Sequence, residues 1–348
     1  MAGGSGEGRA AVTELVQALL TPGAYPHHPP QVEMAQTQMS FVFLTGDLVY
    51  KVKKPVNLGY LDYTTLEKRH FFCQQEVELN RRLAPGIYLG VVPIVRRGGQ
   101  VLIEGEGDVL EYAVKMRQLP RERMMDVLLG QNQVTEDMVR LLAQKLARFH
   151  ERACTSPQIA TFGSLDIVLK NVEENFSQTK EYIGRTISGE GYGAIKDYTY
   201  SFIEKSRRLF ERRMAGGRIR DCHGDLHAAH VCFSDDIYIF DCIEFNERFR
   251  YTDVASEVAF LAMDLDFHSR PDLSRTFVQA YTEYSDDREL AHLLDFYKGY
   301  RAYVRGKVEG FKSNDPHIGE EEKAGVLASA RRYFELAESY MKKRKVIS

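Results

Sequence analysis

Residues 222–258 read CHGDLHAAHVCFSDDIYIFDCIEFNERFRYTDVASEV, and this stretch decides the fold. His223-Gly224-Asp225 opens it, His230 follows five residues after the aspartate, and Asp241 closes the apolar run Ile237-Tyr238-Ile239-Phe240. Asp253 then leads into Val254-Ala255. A tight loop containing Gly224 lets Asp225 approach a second molecule closely. A carboxylate within hydrogen-bond reach of an alcohol can orient it and take its proton late in a phosphoryl transfer. Asp241, at a strand end, is held rigidly enough to bind Mg²⁺, which prefers hard oxygens and takes one or two carboxylates from a protein. Alone, His-Gly-Asp is a turn before a strand. With Asp241 and Asp253 at these spacings the pattern becomes specific.

His230 stands where an oxygen donor to metal is expected. Its imidazole nitrogen is a poorer partner for Mg²⁺ and a better one for Mn²⁺ or Zn²⁺. A rival reading makes His223, His227 and His230 a zinc site with Asp225. Against it, a His-x₃-His pair needs a helix, and Gly224 sits badly in one.

Upstream, Leu48-Val49-Tyr50-Lys51-Val52-Lys53 reads as a strand after the turn Thr45-Gly46-Asp47. Lys51 and Lys53 then share one face, because strand side chains alternate. A helix is expected over Thr64–Leu83, with Thr64 and Glu67 as a capping box. Glu76 lies beside Phe72, Cys73, Leu79 and Leu83 and so faces inward, whereas Glu78 sits among Gln74, Gln75, Arg81 and Arg82 and faces solvent. Either lysine could therefore be held by Glu76 while reaching a phosphate. Gln38-Met39-Ser40, before this strand, would lie over a nucleotide, but the segment has no glycine.

Around these residues, the chain from about 30 to 118 is mostly β: Val32–Thr37, Ser40–Leu44, Tyr88–Val95, Gln100–Glu104 and Val109–Arg117 are the other expected strands. Ala11–Leu20 reads as a short helix after a Gly-rich, mobile start. Beyond Pro120 the periodicity turns helical, with Met138, Leu141, Leu142, Leu146 and Phe149 as an apolar stripe ending at His150 and a Gly-rich break at Gly189–Gly193. More helices are expected over 254–265, 271–285, 288–312 and 319–343. The reading is α+β, with a β-rich N-terminal lobe over 1–118 and a mainly helical lobe over 119–348.

Composition bounds the function. With 44% hydrophobic and 27% charged residues and a net charge of −3, nothing marks a general nucleic-acid or membrane-surface binder. The basic run Lys342–Lys345 suits a solvated helix end. Five cysteines without CxxC spacing fit a reducing compartment and buried free thiols. No stretch reaches the ~20 apolar residues of a membrane span, so a cytoplasmic protein is expected. No GxxxxGK[ST] occurs.

With the lysine strand, the inward glutamate, HGD and Asp241 in order, the chain resembles the aminoglycoside phosphotransferase-like branch of the protein-kinase-like superfamily, which also holds choline kinases. The resemblance covers about residues 30–310. FVFLTGDLVYKVKKP, GYLDYTTLE and LNRRLAPGIYLGV are closest to a bacterial subfamily of which some members carry a second, P-loop kinase-like domain. It implies a bilobal fold with ATP held between the lobes, and a small-molecule acceptor whose pocket is built by the 151–215 helices and those after Asp253. Asp225 would be the catalytic aspartate, and Asp241, with His230 in place of the usual Asn, the metal position. His223 and Asp253 would support the loop. Lys51 or Lys53 with Glu76 would contact phosphate, Ser40 would lie near the nucleotide, and Arg117, Gln118 and Leu119 would form the hinge that reads adenine. ATP with Mg²⁺, or Mn²⁺ because of His230, are the implied cofactors. Glu244, Glu247, Asp264 and Asp266 suit a cationic acceptor. The alternative is a nucleotide-binding pseudokinase or interaction module without turnover.

Overall fold

Short β-branched and aromatic runs between turn residues dictate the first third of the chain. The computed structural model, which describes residues 6–315 and 318–342, forms six strands there: β1 (Glu33–Gln36), β2 (Ser40–Leu44), β3 (Leu48–Lys53), β4 (Tyr88–Arg97), β5 (Gln100–Ile103) and β6 (Asp108–Arg117). They make one antiparallel sheet in the order β1-β2-β3-β6-β4-β5. Gly98 and Gly99, both at positive φ, close the β4–β5 hairpin at no steric cost.

Alternation along β3 sorts the interior. Tyr50 and Val52 enter a core with Leu19, Tyr25, Phe43, Ile94, Ile103 and Ala113, against which Leu15 and Val16 of α1 (Gly6–Leu19) pack. The start of α1 thus occupies part of the segment expected to be mobile. Lys51 and Lys53 take the opposite face, on the side of α2 (Leu66–Asn80), which packs on β4 and β6. A buried ion pair, Arg69 Nε to Glu111 Oε2 at 2.7 Å, ties α2 to β6. The helix begins one residue later than expected: Thr65 caps it by accepting from Lys68 N, while the Thr64 hydroxyl donates to Asp62 Oδ1 at 2.6 Å. Two adjacent threonines compete for the cap, and the nearby aspartate decides between them.

The chain forms two compact units: Met1–Arg123 with Ser234–Asn246, and Met124–Phe233 with Glu247–Ser348. Ser234–Asn246, which carries Asp241, therefore belongs to the β-rich unit although the chain on both sides of it lies in the other. Periodicity cannot reveal such an excursion.

The second unit is mainly helical, with helices Glu136–Arg152, Leu165–Thr179, Gly189–Lys205, Arg207–Ala215, Val254–Phe267, Pro271–Ser285, Leu290–Lys312 and Glu320–Lys342. Two expectations are corrected. The buried face of Glu136–Arg152 is Val139, Leu142, Ala143, Leu146, Ala147 and His150, whereas Leu141 is exposed: small alanines, not the larger leucine, face the neighbours. Gly189–Gly193 is no break but the first turn of a helix, because Ser188 accepts from Gly191 N and offsets the poor propensity of glycine. Lys342 ends the last helix, and Lys343–Lys345 lie outside the described residues. Among the described residues no helix is long and apolar enough to cross a membrane. All five cysteines are free, and only Cys154 is exposed.

Candidate active site

The β-rich unit concentrates charge at one place. Lys51 Nζ lies 2.8 Å from Glu76 Oε1 and 2.6 Å from Asp241 Oδ1. Lys53 Nζ lies 2.7 Å from Glu76 Oε2 and pairs also with Glu244 Oε1. The two oxygens of one fully buried glutamate thus hold two lysines from one strand face. Burial alone would lower the lysines' proton affinity, but Asp241, Glu76 and Glu244 at Lys51, and Glu244 and Glu76 at Lys53, outweigh it and hold both well above the usual lysine range. Burial likewise pushes the Glu76 carboxyl up, and the two ammonium groups reverse that and hold it below its ordinary value. The lysines differ in access. The Lys51 side chain is 15% exposed and that of Lys53 is 1% exposed, so of the two Lys51 is the one open to an incoming ligand.

Asp241 is presented by its backbone. It sits in the left-handed region (φ 62°), its N–H donates to the Tyr88 hydroxyl at 3.1 Å, and its side chain is 41% exposed. The next residue is fixed to α2, since Cys242 N donates to Asn80 Oδ1 at 2.9 Å and Asn80 Nδ2 donates to Glu76 O at 2.8 Å. From the sequence, Glu244 suits a cationic acceptor. The structure gives it instead to Lys53 and to the Tyr63 hydroxyl, which donates to it at 2.6 Å. A carboxylate three residues past a metal-type aspartate was its only sequence signal.

In the helical unit, strands Ile219–Asp221 and Tyr251–Asp253 pair antiparallel and lead into the loop 222–230. Glu257 holds that loop by its backbone. It accepts from His223 N at 2.8 Å and Gly224 N at 2.6 Å, while its other partner, His150 Nε2, lies 2.8 Å away. Burial pushes the Glu257 carboxyl up, but His150, His223 and the loop amides bring it down to about 2. Sequence reasoning missed this residue. The available signal was one glutamate inside the apolar run Val254–Met263, since a lone buried carboxylate needs partners. Asp253 caps the helix Val254–Phe267 at Ala255 N and receives Arg213, which is shared with Asp287. It thus anchors the strand pair ahead of the loop.

Asp225 sits on this loop with its Oδ2 3.6 Å from His227 Nε2 and 3.6 Å from His230 Nδ1. His230 Nδ1 also lies 2.9 Å from the Asp225 carbonyl oxygen, and Ala228 N donates to Asp264 Oδ2 at 2.8 Å. Burial would raise the Asp225 carboxyl, but His227, His230 and Arg305 hold it well below the usual carboxylate range. His223 does not join them as a zinc-type ligand set would need. It is fully buried, and its Nδ1 accepts from Asp225 N at 3.3 Å. Asp264, with Ala228, and Asp266, with Lys298 at 2.9 Å, have internal partners rather than an open acidic face. Glu247 lies 3.3 Å from the Tyr251 hydroxyl.

Ser40 is buried opposite Lys53 in the β2–β3 register, and its N–H donates to Thr37 Oγ1 at 3.0 Å, closing a turn without glycine. Arg117 N and Gln118 N are spent on Ile87 O and Asp47 O.

Residues 72–293 match the model of the APH family, described as a phosphotransferase enzyme family. The chain belongs to that family. An uncharacterised protein of Mycobacterium tuberculosis is 34% identical over 292 residues, which cover 82% of this chain and 57% of the relative, so the chain spans little more than half the length of that relative. Among solved structures the family fold is similar to a choline/ethanolamine kinase family protein from Mesorhizobium loti, with a TM-score of 0.50, 11% identity, and 95% and 99% of the two chains covered. It is similar also to an amicoumacin kinase in complex with AMP-PNP, Ca²⁺ and Ami, with a TM-score of 0.54, 11% identity, and 94% and 95% covered. Likeness at that identity carries the fold: this phosphotransferase family member is an α+β, protein-kinase-like protein with a β-rich and a helical unit.

Proposed function

We propose that the protein is an ATP-dependent phosphotransferase that moves the γ-phosphate of MgATP to a hydroxyl of a small molecule. The observation that carries this reading is Lys51, whose ammonium is shared by the buried Glu76 and by Asp241. A phosphate-binding cation must be charged, aimed and reachable, and Lys51 is all three. Lys53 is charged and aimed but enclosed, so its role is to hold Glu76 and Glu244 in place. On binding, a triphosphate would take the ammonium that Asp241 now occupies, and that carboxylate would be turned toward a cation.

Hard oxygen at Asp241 fits Mg²⁺, while His230 offers nitrogen and fits Mn²⁺ better. When bound, the ion would neutralise phosphate charge. The protein's own groups do the remaining work. Asp225, deprotonated at neutral pH, would orient the acceptor hydroxyl and take its proton. Glu257 would keep the Asp225 loop from moving. Leu119 N–H, which no hydrogen bond uses among the described residues, would read adenine next to Arg117 and Gln118. Residues 1–118 would bind nucleotide, and the helices over 151–215 and after Asp253 would shape the acceptor site.

The test is a metabolite-library phosphorylation screen run with MgATP and MnATP in parallel, using wild type, Asp225→Asn and Asp241→Asn. Transfer to an alcohol by wild type alone is the expected result, and full activity in either variant would overturn the assignment. His230 and the glycine-free Thr37–Ser40 turn favour a second reading, nucleotide binding without turnover. Under it, ATP should raise the melting temperature while no acceptor is phosphorylated.

A further inference from the structure

The loop that presents Asp225 also gathers two imidazoles, more than orienting a hydroxyl needs. One carboxylate oxygen of Asp225 and one ring nitrogen from each of His227 and His230 lie within 4.8 Å of one another. Asp225 Oδ2 is 3.6 Å from a nitrogen of each ring, and the two ring centroids are 4.1 Å apart. A tetrahedral ion with bonds of about 2.0–2.1 Å needs its ligand atoms about 3.3 Å apart, so each carboxylate–imidazole distance would shorten by a few tenths of an ångström, the two ring nitrogens, now within 4.8 Å, would close in, and His230 would release its Nδ1 from the Asp225 carbonyl or turn its Nε2 inward. We infer that Asp225, His227 and His230 form a binding site for a borderline divalent cation of the Zn²⁺ class.

Three features support this beyond proximity. The donor set, two imidazoles and one carboxylate, is of the kind that selects zinc-like ions over Mg²⁺. The local structure is fixed before any ion arrives: Glu257 holds the amides of 223 and 224, and Asp264 holds that of Ala228. The short 3₁₀ turn Ala228–His230 sets His227 and His230 side by side. Three protein ligands leave the fourth position of a tetrahedral ion for water or a substrate atom.

The site has a consequence that rests on the function proposed above. An ion bound there would engage the carboxylate that orients the acceptor, so Zn²⁺ would inhibit transfer, and excess Mg²⁺ would not relieve the inhibition.

The test uses nucleotide-free protein. Titration with Zn²⁺ by calorimetry and with Co²⁺ by visible absorption should show one ion per chain and the intense bands of a four-coordinate ion. X-ray absorption at the zinc edge should show imidazole scattering. His227→Gln and His230→Asn, checked for folding by circular dichroism, should each weaken binding at least about tenfold. No stoichiometric ion, no imidazole scattering, or unchanged affinity in folded variants would each overturn the site. If a variant does not fold, the wild-type stoichiometry and scattering decide. Zn²⁺ inhibition of turnover then tests the consequence separately: a bound ion with transfer unimpaired overturns the inhibitory role, and a bound ion in a protein without transfer activity overturns the kinase reading while leaving the site.

Discussion

The β-rich unit and the loop of the helical unit both present a carboxylate, but they hold it in opposite ways. Asp241 is held by charge: its oxygen meets Lys51, itself shared with Glu76, in a cluster of two lysines and three carboxylates. Asp225 is held by its backbone: Glu257 and Asp264 fix the chain around it, and its side-chain Oδ2 stands 3.6 Å from a nitrogen of each of His227 and His230. Charge pairs must be exchanged when a ligand enters, whereas a braced loop meets its ligand without reorganisation. The first region is therefore expected to respond to nucleotide and the second to stay as it is.

The sharpest way to break this contrast is Asp225→Asn. It keeps shape and removes the proposed base, so kcat should fall about 10²–10⁴-fold with nucleotide affinity nearly unchanged, read from steady-state kinetics and nucleotide titration. An equal loss of nucleotide binding would show that the two regions are not separable. Next comes Lys53→Met, which leaves Glu244 and one oxygen of Glu76 buried without their cation. A loss of about 3–5 kcal/mol in denaturant unfolding is expected, and an unchanged midpoint would show that Lys53 is not the structural member of the pair.

Glu257 gives a pH-dependent test. Its folded value of about 2 lies below the ordinary 4.5, so its stabilisation is full above about pH 4.5 and is lost as pH falls toward 2. That shift corresponds to roughly 3 kcal/mol. Glu257→Gln should lower stability at neutral pH and flatten the acid limb of the stability curve. An acid limb as steep as in wild type would assign the effect to other carboxylates. The smallest expected effect is that of Lys51→Met on nucleotide affinity, about 1.5–3 kcal/mol from losing a charged partner to phosphate, with less loss of stability than Lys53→Met. If the two lysine variants exchanged these phenotypes, Lys53 would be the phosphate contact.

Much of this was legible in the sequence, for physical reasons. Alternation placed Lys51 and Lys53 on one face, and helical spacing turned Glu76 inward and Glu78 outward, both as observed. Period-2 and period-3.6 patterns gave all six strands of the sheet and the late helices to within a few residues. What stayed hidden depends on contacts distant in the chain. Nothing near Glu244 or Glu257 announces that one will meet Lys53 and the other the amides of His223 and Gly224. Spacing alone also grouped three histidines that the fold separates, placing His223 in the interior and leaving His227 and His230 beside Asp225.

Ser234–Asn246 completes the β-rich unit from far along the chain. During synthesis, the amino-terminal 123 residues must therefore leave the ribosome with Lys51 and Lys53 facing a single carboxylate, Glu76. Asp241 and Glu244 arrive only after more than a hundred further residues. Until then two ammonium groups share one carboxylate, so an expression fragment cut at Arg123 should fold poorly, and adding residues 234–246 as a separate peptide should rescue it.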